Sequence, residues 1–527
     1  MSQEIVIVGA GPGGLASAIL LGSAGFKVTV LEKMGTVGGR TSSIEESGFR
    51  FDLGPTFFLY PKILDEILHS AGTSLAREVE MVRLDPQYRV QFGAGGKIDA
   101  TPDMGEMERQ IEKLCAADAG GFRRFLDDNR RKFNGIRSCL ERPFLGWRSL
   151  FAKEVISSLP HIRPWESVDS YLKKFFSDER VRLAFSFQSK YLGMSPFRCP
   201  SLFSILSYLE YDYGVWHPVG GCGEVSQAMA RVAQSVGVDV RLNEPVEELN
   251  FTGRKVTGVR TKQGVHNADA VVLNADFAHA MSHLVPDRLR RNWTDAELET
   301  KQYSCSTFML YLGVEGSYPE MPHHTIQISS QYRQNLREIE DLKVLPREPS
   351  FYVQNAGVTD PTLAPAGKST VYLLAPVPHK TPNINWKRDK QGFRDRLIKE
   401  AEAAGFLGLR QRICYEKILT PDDWEHGFSI HKGATFNLAH TLSQMLHFRP
   451  RNRFEDIDGM YLVGGGTHPG SGLPVIYEGA RITARLLCED FGVAYPAADA
   501  EIKMGSEFDS NLCAIASKMA PRADSCC

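Results

Sequence analysis

The clearest chemical signal lies near the start of the chain, where glycines are spaced as in a phosphate-binding turn. Residues 9–14 read GAGPGG, after an apolar run at 5–8 and before a small-residue stretch at 15–23 that is typical of a helix packed on a sheet. The first glycine allows a tight turn, the second lets the backbone approach a pyrophosphate, and the last lets helix and strand pack closely. The pattern predicts a dinucleotide-binding βαβ unit, with the helix N-terminus stabilising the phosphates. The predicted cofactor contacts of the turn are Gly9, Ala10, Gly11, Pro12, Gly13 and Gly14.

Charged and small residues follow the next predicted strand, at 27–31. Glu32 ends this strand, where a carboxylate can accept hydrogen bonds from ribose hydroxyls, and Lys33 beside it is a further candidate. A second glycine-rich turn reads GTVGGRTS at 35–42, and its arginine can offer a guanidinium to a pyrophosphate. The alternatives are a glycine turn without a ligand and an ordinary surface arginine. From this turn and the DLGPT motif at 52–56 we predict cofactor contacts at Gly39, Arg40, Thr41, Gly54, Pro55 and Thr56.

Length and composition place these motifs in an ordinary globular chain. The 527 residues include 61 Lys plus Arg and 63 Asp plus Glu, a net charge of −2, with 43% hydrophobic and 24% charged residues. These values exclude a disordered chain and a strongly basic nucleic-acid binder. The ten cysteines are scattered without metal-ligand spacing, so we expect no metal and a reduced, cytoplasmic protein. No apolar run is long enough for a transmembrane helix, and aromatic residues make up 10%, which fits a large core, an apolar cavity or a lipid-facing surface.

The order of apolar runs and turns predicts three interleaved regions and a tail. A discontinuous α/β nucleotide domain comprises residues 1–75, 215–290 and 451–492, and a largely helical region spans 76–214. A mixed α/β domain spans 291–450, and the tail at 493–527 is predicted to be disordered. Residues 141–159 alternate aromatic and basic side chains, a pattern that suits either a helix at a bilayer interface or a helix packed on the core.

Several separated motifs together resemble one family of flavoproteins. The glycine turn, GGRT and DLGPT resemble the signature of amine-oxidase-type flavoproteins, which favours FAD over NAD. Further along the chain stand SPFRCPS at 195–201, WHPVGG at 216–221, FRP at 448–450 and GTHPGSGLP at 466–474. With them, residues 4–492 resemble the bacterial and fungal CrtI-type carotenoid desaturases, also called phytoene desaturases. The sequence departs from the commoner C40 pattern just after residue 474, which leaves the substrate as C30 or C40.

The resemblance implies an α/β fold with a Rossmann-type FAD-binding domain of the GR2 type, a mixed-sheet substrate domain and a helical region that contacts the membrane. It implies an FAD-dependent desaturase of an acyclic isoprenoid polyene, such as phytoene or 4,4′-diapophytoene. The lipophilic substrate would enter from the membrane surface, to which the protein would bind as a peripheral or monotopic protein, and electrons would leave to a quinone or oxygen. Further cofactor contacts implied by the resemblance are Val246, Asn274, Gly465, Gly466 and Val475.

The catalytic residues are the least determined part of the sequence-based prediction. Hydride loss from a hydrocarbon needs no nucleophile or metal, and a carboxylate or base near the flavin can stabilise the cation or take a proton. His468 and Glu478 are the candidates, with Glu210 and Asp212 as weaker ones. Aromatic residues at 208–216 are candidates for a tunnel wall. The alternatives are a related carotenoid oxidase, saturase or isomerase, a soluble flavin amine oxidase, and a flavin-binding protein without activity.

Overall fold

The computed structural model describes residues 3–163 and 165–496, so residues 497–527 of the predicted disordered tail lie outside the described part of the chain. The strands are β1 Glu4–Val8, β2 Lys27–Leu31, β3 Ser43–Glu46, β4 Phe49–Asp52, β5 Phe58–Leu59, β6 Met81–Arg83, β7 Tyr88–Phe92, β8 Lys97–Ala100, β9 Val215–Pro218, β10 Asp239–Arg241, β11 Glu248–Thr252, β12 Lys255–Thr261, β13 Gly264–Asn267, β14 Ala270–Leu273, β15 Ser306–Glu315, β16 His324–Ile328, β17 Phe351–Gln354, β18 Lys368–Val377, β19 Ile413–Leu419 and β20 Met460–Leu462.

The α-helices connect these strands and cover the sheets. They are α1 Pro12–Ser23, α2 Lys62–His69, α3 Leu75–Glu78, α4 Met104–Leu114, α5 Gly121–Leu140, α6 Lys153–Ile162, α7 Val168–Leu172, α8 Glu179–Ala184, α9 Ile205–Tyr213, α10 Cys222–Ser235, α11 Phe277–Leu284, α12 Asp295–Thr300, α13 Tyr332–Glu340, α14 Trp386–Ala403, α15 Leu409–Arg412, α16 Pro421–Phe428 and α17 Leu473–Phe491.

A five-stranded parallel sheet assembles from distant parts of the sequence. Its order is β10-β2-β1-β14-β20, and every neighbouring pair is parallel. Alternate side chains of β1 face opposite ways: Ile5 and Ile7 pack in the core formed with α1 and α17, whereas Val6 and Val8 pack with β11 and β12. Both faces are therefore buried, which explains the continuous apolar runs. The strands come from stretches 1–75, 215–290 and 451–492, and the exact domain boundaries remain a prediction.

A seven-stranded mixed sheet is the second large sheet of the fold. Its order is β19-β15-β18-β17-β16-β7-β8, antiparallel except for the β16–β7 pair. Along β15, Phe308 packs against α14 through Trp386 and Phe393, whereas the next residue, Met309, faces the large cavity described below. The period of two thus gives this sheet one face for α14 and one face for the cavity.

The region at 76–214 is less uniformly helical than the sequence predicts. Strands β7 and β8 lie within it and extend the mixed sheet beyond β16. Tyr88, Val90 and Phe92 are buried at every second position of β7, which is the pattern of a strand with one face in the core. Within 141–159, a 3-10 helix at Trp147–Phe151 precedes α6, instead of one continuous amphipathic helix. No helix within the described residues is long and apolar enough to span a bilayer.

Candidate functional site

The glycine turn connects β1 to α1 at the carboxyl end of the parallel sheet. Gly9 has φ +100°, a left-handed conformation that favours glycine, and a Cβ placed there would stand 2.9 Å from the Asn274 carbonyl oxygen. A Cβ on Gly14 would overlap the Gly9 carbonyl oxygen, so this glycine brings helix and turn together. The turn therefore leaves the backbone bare where ligands of parallel α/β sheets bind.

Glu32 fixes the shape of this turn. Its carboxylate is buried and accepts hydrogen bonds from the backbone N–H of Ala10 at 2.8 Å and of Met34 at 2.9 Å. Two carboxylate oxygens offer about four acceptor positions, so capacity remains for ribose hydroxyls. Lys33 lies on the exposed rim of the cavity, where its Nζ donates to the Ser429 hydroxyl at 2.8 Å.

Asn274 ties β14 to the same turn. Its backbone N–H donates to the Val8 carbonyl, and its side-chain Nδ2 donates to the Gly9 carbonyl at 3.0 Å. A Cβ on Gly11 would stand 3.0 Å from the same Nδ2. The asparagine thus fills the space behind the turn, and any side chain at Gly11 would push against it.

Arg40 places a positive charge on the cavity wall beside a carboxylate. Its Nη1 donates to the Thr435 carbonyl at 2.6 Å. Burial lowers the pKa of Arg40, and the charge of Asp276 opposes that effect. Burial likewise raises the pKa of Asp276, opposed by the charge of Arg40. The arginine is the group that can bind a phosphate, and Asp276 holds it charged.

These groups open into one large cavity of about 620 Å³ between the two sheets. Most predicted cofactor contacts line it, together with the predicted catalytic carboxyl. The lining residues among the sequence-based predictions are Gly9, Gly11, Pro12, Glu32, Lys33, Gly39, Arg40, Thr41, Gly54, Pro55, Thr56, Val246, Asn274, Gly465, Val475 and Glu478.

The remaining predicted site residues stand behind the cavity wall. Ala10 donates its N–H to Glu32, and a Cβ on Gly13 would stand 3.0 Å from Val463. A Cβ on Gly466 would stand 2.7 Å from the Phe277 Cβ. These three residues and Gly14 therefore serve the packing of the turn and loop.

The far part of the cavity is apolar. Helix α9 contributes Ile205, Leu206 and Leu209, and the mixed sheet contributes Ile326 and Ile328. The tunnel-wall prediction for Tyr208, Tyr211, Tyr213 and Trp216 is wrong, since none of the four lines the cavity. Tyr208 and Tyr211 pack into the core beneath α9, because the helix period of 3.6 turns the aliphatic residues toward the cavity.

Glu478 lines the cavity from the second turn of α17, and both oxygens of its carboxyl are buried. Neither carboxylate oxygen has a hydrogen-bond partner among the described residues, although Arg481 Nη1 lies 3.1 Å from Oε2 without hydrogen-bond geometry. Burial raises the pKa of Glu478 to about 7, opposed by the charge of Arg481. A carboxyl with this pKa changes its charge near neutral pH.

His468 is placed differently. Its ring is buried beside Phe144, with ring centroids 5.0 Å apart, and its Nε2 lies 3.1 Å from the carbonyl oxygen of Arg142. Burial lowers the pKa of His468 to about 3, so the ring is neutral. It does not line the cavity and instead joins the 466–474 loop to the segment that begins at residue 142.

The two weaker carboxyl candidates also lie outside the cavity lining. Glu210 is fully buried and accepts hydrogen bonds from Tyr88, Gln188 and Tyr191 at 2.8 to 2.9 Å. Asp212 accepts from the Tyr208 hydroxyl at 2.9 Å near the surface. Both carboxylates accept hydrogen bonds from tyrosine hydroxyls, so their role in chemistry stays a prediction.

Sequence reasoning missed part of the cavity wall. Phe57, Lys190, Tyr191 and Tyr352 line the cavity, and Lys190 forms an ion pair with Glu340 at 3.2 Å. Phe57 follows directly after the DLGPT motif, so its position could have suggested it. The other three belong to segments without a motif, and only the packing of the mixed sheet and helices brings them to the site.

The arrangement fits a flavin dinucleotide. The glycine turn has no room for side chains and leaves its backbone N–H groups free to approach a pyrophosphate. The guanidinium of Arg40 offers further donors to the phosphates, and the carboxylate at the end of the second strand accepts hydrogen bonds from a ribose. Gly465 and Val475 follow β20 and line the same cavity, next to the N-terminus of α17.

The fold and the site define a class. Residues 12–488 match the family of flavin containing amine oxidoreductases, and the chain belongs to this family. It is an oxidoreductase with FAD as its cofactor, and the α/β fold with a Rossmann-type FAD-binding unit is confirmed.

Within this family, the chain is a member of the carotenoid desaturases. It is 42% identical to a 4,4′-diapophytoene desaturase (4,4′-diapolycopene-forming) of Methylomonas sp. over 94% of this chain and 97% of the relative. It is 40% identical to an all-trans-zeta-carotene desaturase of Myxococcus xanthus over 93% and 94%. A solved oxidoreductase of Methanosarcina mazei shares the fold, with a TM-score of 0.62 and 19% identity over 90% of this chain and 98% of that chain.

Proposed function

We propose that the protein is an FAD-dependent desaturase that introduces C=C bonds into an acyclic isoprenoid polyene such as phytoene or 4,4′-diapophytoene. The observation that carries this proposal is the continuity of the cavity. One end holds the glycine turn, Glu32 and Arg40, and the other is walled by aliphatic and aromatic side chains. A hydrocarbon gains about 25 cal/mol for each Å² of surface that leaves water for such a wall. The names of the two desaturase relatives support the substrate class.

Each group of predicted contacts suits a different part of FAD. We propose that the glycine turn and Arg40 bind the pyrophosphate and that Glu32 accepts hydrogen bonds from ribose. Val246 covers the adenine, and Gly465 with Val475 borders the flavin ring. Gly9, Gly11 and Pro12 of the turn line the same cavity as the other residues assigned here, which supports the assignment.

Bound FAD supplies an acceptor for the hydride that leaves an allylic carbon. The chain itself must hold the polyene, exclude water and stabilise the positive charge that develops on the substrate. Of the two predicted catalytic residues, Glu478 suits this electrostatic role, because it lines the cavity and its buried carboxylate has no hydrogen-bond partner among the described residues. His468 suits a positioning role, since it joins the loop before α17 to residue 142.

A lipophilic substrate needs a route from the membrane, and an exposed apolar surface supports peripheral or monotopic binding. We call Leu145, Trp147, Phe151, Ile156, Leu159, Trp165 and Phe448 the aromatic surface. Trp147, Phe151 and Trp165 are 65%, 77% and 81% exposed, and the exposed cations Arg148 and Lys153 lie among them. Aromatic residues interspersed with cations are typical of segments at a bilayer interface.

The experiment that tests the function uses purified holoenzyme and liposomes that contain phytoene or 4,4′-diapophytoene. A quinone and oxygen are supplied in separate reactions, since either is a proposed electron acceptor. We expect flavin bleaching under anaerobic conditions and a polyene product with longer-wavelength absorption. Flavin reduction by polar amines with no change in either polyene would overturn the proposal. An oxygenated, saturated or isomerised product would select the alternative activities of the family.

A further inference from the structure

Three polar side chains form a hydrogen-bonded chain that leads from the cavity wall into the protein. The Thr56 hydroxyl lies 2.7 Å from the Tyr352 hydroxyl, and the Tyr352 hydroxyl lies 2.6 Å from Nδ1 of His324. Thr56 and Tyr352 line the cavity, whereas His324 is fully buried behind them. One hydrogen-bonded route out of the cavity wall therefore starts at Tyr352 and ends on a buried imidazole.

The surroundings of His324 fix the orientation of its ring and disfavour its protonated form, so it can hold a proton only transiently. Its ring stacks on Phe57 with centroids 4.1 Å apart and an angle of 14°, which fixes its orientation. Burial and the nearby His217 hold the pKa of His324 well below its usual range, so the ring is neutral. When Nδ1 accepts from Tyr352, Nε2 carries the hydrogen of the neutral ring, and this buried donor has no partner among the described residues, which packing alone does not explain.

Behind His324 lie two more histidines, in ring contact but without a hydrogen bond between the rings among the described residues. The His323 ring lies 4.3 Å from that of His324 and 4.6 Å from that of His217. His217, the histidine of the WHPVGG motif, places Nε2 3.2 Å from Oδ2 of Asp360. Asp360 in turn accepts a hydrogen bond from the hydroxyl of Thr362, which is exposed. A proton on His324 thus has titratable neighbours in the direction of solvent.

We propose that Tyr352 and His324 form a relay that removes the proton released by desaturation, with Thr56 positioning the Tyr352 hydroxyl. The inference rests on the proposed function. After hydride has left to oxidised FAD, the neighbouring C–H bond breaks and its electron pair completes the C=C bond. The proton passes to the Tyr352 oxygen as the tyrosine proton moves to Nδ1 of His324, so the polyene is left neutral and the positive charge lies on His324. The proton of such a cation is very acidic, so a weakly basic imidazole is sufficient.

The test compares Tyr352→Phe with a matched tyrosine variant of the same sheet. Tyr311→Phe removes a buried hydroxyl that donates to the Leu53 carbonyl and does not line the cavity. Substrates deuterated at the hydride-losing carbon or at the proton-losing carbon are reacted with each holoenzyme anaerobically. In Tyr352→Phe we expect product formation to slow by about a hundredfold, and the isotope effect at the proton-losing carbon to rise. The isotope effect at the hydride-losing carbon should fall, and Tyr311→Phe should behave as wild type.

A second variant separates the relay from simple loss of structure. His324→Gln keeps an acceptor for the Tyr352 hydroxyl but removes the proton-accepting nitrogen, and it should show the same shift in isotope effects with normal FAD content. Slower turnover in both variants with unchanged isotope effects would overturn the relay and leave the desaturase intact. A wild-type holoenzyme that forms no polyene would overturn the proposed function, and the relay with it.

Discussion

At the scale of single residues, Glu478 gives the site its expected pH dependence. Burial raises its pKa to about 7, and the ionised form is the one that stabilises a cation. The rate of flavin reduction by polyene should therefore rise with pH through about 7 and level off above it. Anaerobic stopped-flow measurements from pH 5 to 9 test this. Glu478→Gln should lower the rate about a hundredfold and flatten the profile, whereas a variant that keeps the wild-type profile would exclude the role.

The same residue has a measurable effect on stability. Its pKa is raised from 4.5 to about 7 in the folded protein, so the unfolded chain ionises first as pH rises. The ionisation of Glu478 thus leaves the free energy of unfolding unchanged below pH 4.5. It lowers this free energy progressively between pH 4.5 and 7, and the loss is complete above pH 7. At 1.36 kcal/mol per pKa unit the full effect is about 3 kcal/mol. Thermal unfolding at pH 5 and pH 8 should show a smaller pH-dependent loss in Glu478→Gln than in wild type.

Gly11 tests the phosphate-binding turn. A valine at this position places its Cβ 3.0 Å from Asn274 Nδ2, so it displaces the asparagine that supports the turn and disturbs the backbone that a pyrophosphate requires. Purified Gly11→Val should lack flavin absorption while its far-ultraviolet circular dichroism remains that of a folded protein. Gly392→Val is the control, because Gly392 is exposed on α14 with nothing within 4 Å of its Cβ. Stoichiometric FAD in Gly11→Val would contradict the assignment.

At the scale of elements, the aromatic surface is formed by segments that the sequence suggested only in part. The 141–159 stretch contributes exposed Trp147 and Phe151, but Phe144 in the same stretch is buried against His468. Trp147 also packs against His447, which brings the 442–448 segment to the same surface. The local pattern indicated an amphipathic segment, and the tertiary fold decided which side of it is exposed.

The aromatic surface predicts vesicle binding. Changing Trp147, Phe151 and Trp165 together to Ser should reduce co-sedimentation with phospholipid vesicles about tenfold, because the exposed apolar area that enters the interface is removed. FAD content should be unchanged. Leu407→Ser is the matched control, since Leu407 is an equally exposed apolar residue, at 71%, outside this surface. Equal binding by the triple variant and the control would argue against the membrane role.

At the scale of the whole molecule, Arg449 of the FRP motif joins segments from different regions. Its guanidinium is fully buried and donates to the carbonyls of Leu438, Gln444, Gly465 and Thr467. Burial lowers its pKa to about 9, so it remains charged at neutral pH. It thereby links residues 438–449 to the loop that follows β20.

Removal of this arginine should destabilise the whole fold. Arg449→Met leaves four buried carbonyls without their donor, and we expect a loss of about 3 kcal/mol in the free energy of unfolding. Urea unfolding followed by tryptophan fluorescence measures it. Arg388→Met is the control, because Arg388 is exposed and pairs only with its neighbour Asp389. Equal unfolding midpoints for the two variants would show that the buried bonds contribute little.

The nucleotide part of the site could be predicted because its information is local. The turn at 9–14 and Glu32 belong to one βαβ unit, and Arg40 follows it within ten residues, so short spacing brings them together. Strand β7 was missed because its partner in the sheet, β16, lies more than two hundred residues away along the chain, and β8 joins the sheet only by pairing with β7. Alternation over five residues is a weak signal until such pairing exists.

The sequence by itself determined the FAD-binding turn, the parallel sheet and the family, since each depends on motifs of a few consecutive residues. Only the tertiary structure decided which residues form the apolar wall and which lie behind it. The positions of Glu478, His468 and the Thr56–Tyr352–His324 chain depend on how two sheets and several helices pack around one cavity. A side chain's direction relative to that cavity is set by long-range packing, which no local pattern encodes.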